Sequence, residues 1–236
     1  MSDPILSLND VHAHIERHHI LQGVTLSVMP GRATVLVGRN GAGKSTTLRA
    51  VMGLTPATSG SIELEGQAIT SMKPYEIARL GIGMAPEDRA VLYTLTVAEN
   101  FRLAMSDEDG QGDRRLAQVL DLFPDLRKFM SSKAGILSGG QKQMLAIALV
   151  LVRKNRIALI DEPSKGLAPV VVDHLADSLN RIKETTTVVL VEQNFYLASR
   201  VGQDYFILDD GRVVHQGRME DLAEDHELKQ KYLGIA

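Results

Sequence analysis

The sequence predicts an α/β fold: a mainly parallel sheet layered with helices, joined by an antiparallel β subdomain and a helical subdomain. Three features carry that expectation. The last third of the 236 residues alternates apolar strand-like runs with helical segments, the order that a parallel sheet with crossover helices requires. The first third holds short strand-like runs split by polar or Gly-Pro turns. Between them, from Pro74 to about Phe129, the pattern is more polar and mainly helical.

Each element follows from its local pattern. ILSLNDV (5–11), VTLSV (24–28) and ATVLV (33–37) read as strands. After a glycine-rich loop, Ser45–Met52 reads as a helix that ends at Gly53. SIELE (61–65) alternates like a half-buried strand. Met105–Asp113 (MSDEDGQGD) is acidic and glycine-containing, and reads as an exposed loop. Gly139–Val152 is an apolar helix, and RIALI (156–160) a buried strand. A helix over Val170–Ile182, a strand over Thr187–Val191 and a helix over Asn194–Val201 come next. Tyr205–Leu208 and Arg212–Gln216 flank a DDG turn, as the arms of a hairpin do. There is no internal repeat, coiled coil or low-complexity segment.

Composition sets outer bounds. Hydrophobic residues make up 44% and charged residues 23%, ordinary values for a soluble globular chain long enough to bury a large core. A net charge of −3 gives no footing for nonspecific binding to nucleic acid or acidic membranes. Cysteine is absent, so thiol chemistry and disulfides are excluded, which fits a reducing compartment. The start, MSDPILSLND, lacks the basic and apolar regions of a secretory signal. No apolar run approaches the roughly 18–20 residues a spanning helix needs, so any membrane role is expected to come through a partner.

Chemistry enters at GRNGAGKST, Gly38–Thr46, which follows the strand ATVLV and opens a helix. This is G-x-x-x-x-G-K-[ST] in the context that gives it meaning. Glycines let backbone N–H groups converge on phosphate oxygens, and the helix N-terminus adds positive potential. Gly38, Asn40, Gly41, Ala42, Gly43, Lys44, Ser45 and Thr46 are the expected nucleotide binders, with Lys44 reaching the β- and γ-phosphates and the Ser45 hydroxyl ligating magnesium. Downstream, RIALIDEP ends an apolar strand in Asp161 and Glu162, at the sheet edge where α/β folds bind ligands. Asp161 is the expected magnesium holder and Glu162 the residue that orients and polarises the attacking water. Alone, an acidic pair after a strand reads more simply as a solvated turn; the upstream loop reverses that weighting.

Leu137, Ser138, Gly139, Gly140 and Gln141 form LSGGQ at the start of a helix, offering a hydroxyl and unpaired N–H groups to an anion. Taken alone the pentapeptide is as readily an N-capped helix. The series GRNGAGKST, LSGGQ, ALIDEP, however, resembles the nucleotide-binding subunit of ABC transporters over nearly the whole chain. The resemblance implies the ABC ATPase fold: one domain with a P-loop NTPase core and antiparallel β subdomain over about 1–86 and 137–236, and a helical subdomain over about 87–136. It implies ATP and Mg2+ as cofactors, and a head-to-tail pair in which LSGGQ of one subunit closes on the γ-phosphate held by the other. PSKGLAP, VEQN, PEDR and the terminal KYLG are similar to the LivF-type ATPases of branched-chain and hydrophobic amino-acid uptake. Ser164-Lys165-Gly166-Leu167 then occupies the family's D-loop, at the subunit interface.

Within that resemblance four positions depart from the common pattern. Glu87 falls where most members carry a glutamine that joins the magnesium site to the permease, and as a carboxylate it is a further candidate metal ligand. Gln193 falls where most carry a histidine that contacts the γ-phosphate; it can donate a hydrogen bond but cannot become cationic. Ile15, beside His14, takes the place of the aromatic ring that stacks on adenine. Ala148-Leu149-Val150-Leu151 replaces an A-R-A-L pattern. Glu162, Lys44 and Gln193 form the expected catalytic set. Histidines 12, 14, 18 and 19 are expected to be surface residues rather than a zinc site.

The function this implies is the ATP-hydrolysing subunit of an importer for branched-chain or other hydrophobic amino acids. The implied partners are integral membrane permeases, a sister ATPase subunit in a hetero- or homodimer and, indirectly, a periplasmic or extracellular binding protein; nucleic acid is not among them. The implied location is peripheral, on the cytoplasmic face of the inner (plasma) membrane. An ABC system for urea, amides or another small solute is the alternative. A DNA-maintenance ATPase would need long coiled coils, and a small-molecule kinase would leave LSGGQ and PSKGLAP without a role.

Overall fold

The computed structural model describes residues 3–88, 91–105 and 110–235. Two sheets form its frame. The first is antiparallel, built from β1 (Leu6–Ile15), β2 (His18–Val28), β4 (Ala57–Leu64) and the short β5 (Gln67–Ala68), in the order β2-β1-β4-β5. The second contains β3 (Ala33–Val37), β6 (Ile82–Ala85), β7 (Ile157–Asp161), β8 (Thr187–Val191), β9 (Asp204–Asp209) and β10 (Arg212–Arg218). Its order is β10-β9-β3-β8-β7-β6, parallel throughout except for the terminal hairpin strand β10.

Strands β3, β7 and β8 are buried at every position, because both faces of the second sheet are covered. Successive side chains enter different cores. Val35, Ala158, Ile160, Val188 and Leu190 pack with α6 (Gly139–Leu151), α7 (Pro169–Ile182) and α8 (Phe195–Val201). Leu36, Ile157, Leu159, Val189 and Val191 pack toward α1 (Lys44–Val51) and the antiparallel sheet. The first sheet meets the second also through the backbone, where Gln22 N–H donates to the Gly211 carbonyl at 2.8 Å.

The central segment is helical as expected, with α3 (Val97–Ala104), α4 (Gly112–Leu122) and α5 (Asp125–Lys128) all packed against α6. Thr96 starts α3 through a capping box: Glu99 N–H donates to Thr96 Oγ1 at 3.1 Å, and Thr96 N–H to Glu99 Oε2 at 2.7 Å. Part of the expected 105–113 loop and Arg89 of PEDR lie outside the described residues, while Gly112 and Asp113 already belong to α4.

One strand sits inside the stretch read as helical. After the short α2 (Pro74–Arg79), β6 pairs in parallel with β7, Ile82 opposite Ile157 and Ala85 opposite Ile160. Gly83 explains why its sequence hides it. A Cβ there would lie 2.3 Å from Asn155 Nδ2 and 2.6 Å from Val150 Cγ1, so close packing excludes the β-branched residues that mark a strand. Strands β1 and β2 also run well past ILSLNDV and VTLSV. Irregular register between Leu8 and Val11, with left-handed Asp10, interrupts the alternation that would have announced their length.

Candidate active site

The phosphate loop joins β3 to α1. Gly38, Gly41 and Gly43 all have positive φ, at 145°, 82° and 98°. At Gly38 the need for glycine is also spatial, since a Cβ would lie 2.2 Å from the Leu208 carbonyl oxygen. Lys44, almost fully buried, crosses the loop and donates to the carbonyls of Gly38 at 2.9 Å and Arg39 at 3.0 Å. Burial pulls its ammonium below the ordinary value, against the opposing pull of Glu162, Asp161 and Glu192. Ala42 and Thr46 are buried, while Asn40 and Gly41 stay exposed at the loop's rim.

Asp161 ends β7 directly beside this loop, and Ser45 Oγ donates to its Oδ1 at 2.9 Å. Burial is the main cause that pushes the Asp161 carboxyl up to about 6, with Glu162 and Glu87 adding repulsion and the Ser45 bond opposing it. A hydroxyl and a carboxylate in contact are hard oxygen donors of the kind magnesium takes, so the residues present fit that ion. Glu162 turns the chain with φ 45°, an uncommon conformation for a side-chain-bearing residue, held by its N–H donating to the Val191 carbonyl at 2.9 Å.

Gln193 completes the connection. Its amide donates to Glu162 Oε1 and, at 2.5 Å, to Asn40 Oδ1. One side chain thereby ties the carboxylate to the rim of the phosphate loop. Glu87 is paired with Lys165, whose ammonium donates to Glu87 Oε1 and lies 3.9 Å from Glu162 Oε2.

Lys44, Ser45, Asp161, Glu162, Gln193 and Asn40 are thus gathered at one sheet edge. The LSGGQ residues engage different partners. Ser138 caps α6, accepting from Gln141 N–H at 3.3 Å, while Gln141 Oε1 accepts from Ser138 N–H at 2.9 Å. Ser138 and Gly139 are exposed and Leu137 is buried. Ser138, Gly140 and Gln141 border a cavity of about 470 Å³ shared with Leu126, Met144 and Val171.

Ile15 is 44% exposed at the end of β1, opposite His18. His14 stacks on His19 with ring centroids 4.3 Å apart, and His12 Nδ1 lies 3.0 Å from His19 Nε2. Among the described residues no group of three or more His, Cys, Asp or Glu side chains is arranged to hold a metal ion. Leu149, standing where the arginine of A-R-A-L would be, packs against the large core.

Sequence reasoning missed Glu192. It is 1% exposed, and its carboxylate accepts from Ser164 N–H at 2.9 Å and Asn194 N–H at 2.8 Å. Burial raises its carboxyl pKa against those bonds. The signal was present: an acidic residue directly follows the wholly apolar strand TVVLV.

A phosphate-cradling loop, a hydroxyl–carboxylate pair and a tethered second carboxylate define a P-loop ATPase. The chain belongs to the ABC transporter family, whose model matches residues 21–165. It is 37% identical over 228 residues to the probable branched-chain amino acid transport ATP-binding protein LivF of Archaeoglobus fulgidus, covering 95% of this chain and 97% of that protein. It is 36% identical over 233 residues to the high-affinity branched-chain amino acid transport ATP-binding protein BraG of Pseudomonas aeruginosa, covering 98% of this chain and all of that protein. Its fold is similar to the crystal structure of a nucleotide-free ATP-binding cassette from an ABC transporter, with TM-score 0.84, 22% identity and 99% of each chain covered.

Proposed function

We propose that this chain hydrolyses ATP to drive uptake of branched-chain or other hydrophobic amino acids through integral membrane permeases. It works at the cytoplasmic face of the membrane, paired with a sister ATPase. The observation that carries hydrolysis is the Gln193 bridge, which fixes the Glu162 carboxylate against Asn40 of the phosphate loop. The amino-acid cargo rests on likeness to LivF and BraG along almost the whole length of both.

The chain's own residues divide the work. The loop N–H groups and Lys44 bind the β- and γ-phosphates and offset negative charge that spreads over the transferring group. Ser45 and Asp161 would hold Mg2+, which when bound supplies positive charge to the phosphate oxygens. Glu162 orients water and takes its proton at a carboxylate oxygen. Gln193 holds Oε1 of that carboxylate in place and, being uncharged, adds no cation of its own. Ser138 and Gly139, exposed at the N-terminus of α6, would close over the γ-phosphate held by the sister subunit.

A Glu162→Gln variant should retain nucleotide binding yet lose at least about 100-fold in steady-state turnover, the low end of what a positioned general base contributes. Turnover of that variant at the wild-type rate, in a phosphate-release assay, removes Glu162 from the role assigned here.

A further inference from the structure

Carboxylates crowd the edge where β6 and β7 end. Asp161 and Glu162 leave β7, and Glu87 stands two residues beyond β6. The proposed function brings a triphosphate to the same edge. Lys44 answers part of that negative charge from within the phosphate loop. Among the described residues, Lys165 is the other ammonium seen among these groups: it donates to Glu87 Oε1 and stands 3.9 Å from Glu162 Oε2.

The pair does not earn its place through folding stability. The Lys165 side chain is 65% exposed and that of Glu87 40%, and exposed ion pairs contribute little. Its value is local. An unpaired carboxylate at 87 would repel phosphate, whereas one neutralised by a neighbouring ammonium would not.

We propose that Lys165 is a positioning residue for ATP hydrolysis: its ammonium neutralises Glu87 and flanks the Glu162 carboxylate, so that a triphosphate is tolerated beside three acidic side chains. Lys165 acts through the two glutamates and needs no contact with the nucleotide. This deepens the function proposed above and rests on it. One consequence separates it from a merely structural contact: removing Glu87's charge should make Lys165 dispensable.

The test is a double-mutant cycle in the full-length chain, comparing wild type, Lys165→Met, Glu87→Gln and the double variant. Each is measured for Kd of a fluorescent ATP analogue and for KM and kcat of hydrolysis. Lys165→Met should weaken nucleotide binding and raise KM about fivefold, and Glu87→Gln in that background should restore most of it, a coupling within the range of contacting charges. Lys165→Arg should stay near wild type, and the reversed pair Lys165→Glu/Glu87→Lys should outperform Lys165→Glu alone. Additive effects across the cycle, or a Lys165→Met protein with unchanged Kd and KM, overturn the inference. Melting temperatures check that each variant folds, and the reversed pair serves if Lys165→Met does not. A wild-type chain that binds ATP but does not hydrolyse it even with its sister ATPase present would defeat the proposed function, while the Kd arm still decides the role of Lys165.

Discussion

Asp161 closes a fully buried apolar strand, and burial moves its carboxyl from the ordinary 3.8 to about 6. The sign of the resulting linkage is definite. Below the unfolded value both states carry the proton and the shift has no effect. As pH rises from about 4 through 6, the unfolded chain releases its proton first, so the nucleotide-free fold loses stability across that window. Above it the loss is complete and constant. An Asp161→Asn chain has no such proton to release. Without nucleotide or magnesium it should melt about 6–12 °C above wild type at pH 8, because lifting the carboxyl from 3.8 to about 6 corresponds to about 3 kcal/mol, with the gap much narrower at pH 4.5. Calorimetric scans at the two pH values check this; equal gaps at both would show that ionisation of Asp161 is not what separates the two proteins.

At the scale of elements, the proposed function gives α6 a second purpose beside its own capping, and one substitution can separate the two. Ser138 caps the helix through a box with Gln141, and replacing a capping serine by alanine costs about 1 kcal/mol. If Ser138 only capped, Ser138→Ala would lower the melting temperature and leave nucleotide-dependent pairing of subunits alone. As an anion clamp its loss should weaken ATP-dependent dimerisation of the Glu162→Gln form about tenfold beyond the stability effect, as removal of a charge-assisted hydrogen bond does. Sedimentation against nucleotide concentration distinguishes the two. The same comparison shows how far sequence can carry an argument. Phosphate loop, β7 and the start of α6 were legible because each combines local chemistry with a sharp switch of period, apolar strand into glycine turn into helix. β6 was not, since Gly83 serves the packing of Asn155 and Val150 rather than strand propensity. Nor were the Gln193–Asn40 and Lys165–Glu87 contacts, which join residues 153 and 78 positions apart and follow from the strand order rather than from any spacing. Glu192 lay between: its buried acid was visible in the pattern, its two N–H partners were not.

At the scale of the molecule, the position of Glu87 gives the architecture its direction. Pro86 and Glu87 follow β6 immediately, so a chain entering the helical part of the molecule leaves from the sheet edge that carries Asp161 and Glu162. That helical part exposes apolar surface: Leu92 is 52% exposed and Ile136 is 70% exposed, on segments brought side by side where Gly135 N–H donates to the Tyr93 carbonyl at 2.9 Å. Tyr93 is itself half-exposed on the same pair of segments. No helix among the described residues is long and apolar enough to cross a membrane. The proposed coupling to permeases calls for a docking surface on this chain, and these segments are where we expect it. Burying one leucine-sized side chain contributes about 1.5–3 kcal/mol, so Leu92→Glu or Ile136→Glu should weaken capture of permeases from native membranes by about tenfold or more. Because both side chains point to solvent, the melting temperature should barely move. Affinity capture with the wild-type chain should bring down integral membrane permeases and a second ATPase, and capture with either variant should bring down about tenfold less permease. Equal recovery by all three chains would move the docking surface elsewhere. Recovery of DNA in place of permeases would argue against a transport role at all, because a chain of net charge −3 has no broad electrostatic reason to hold it.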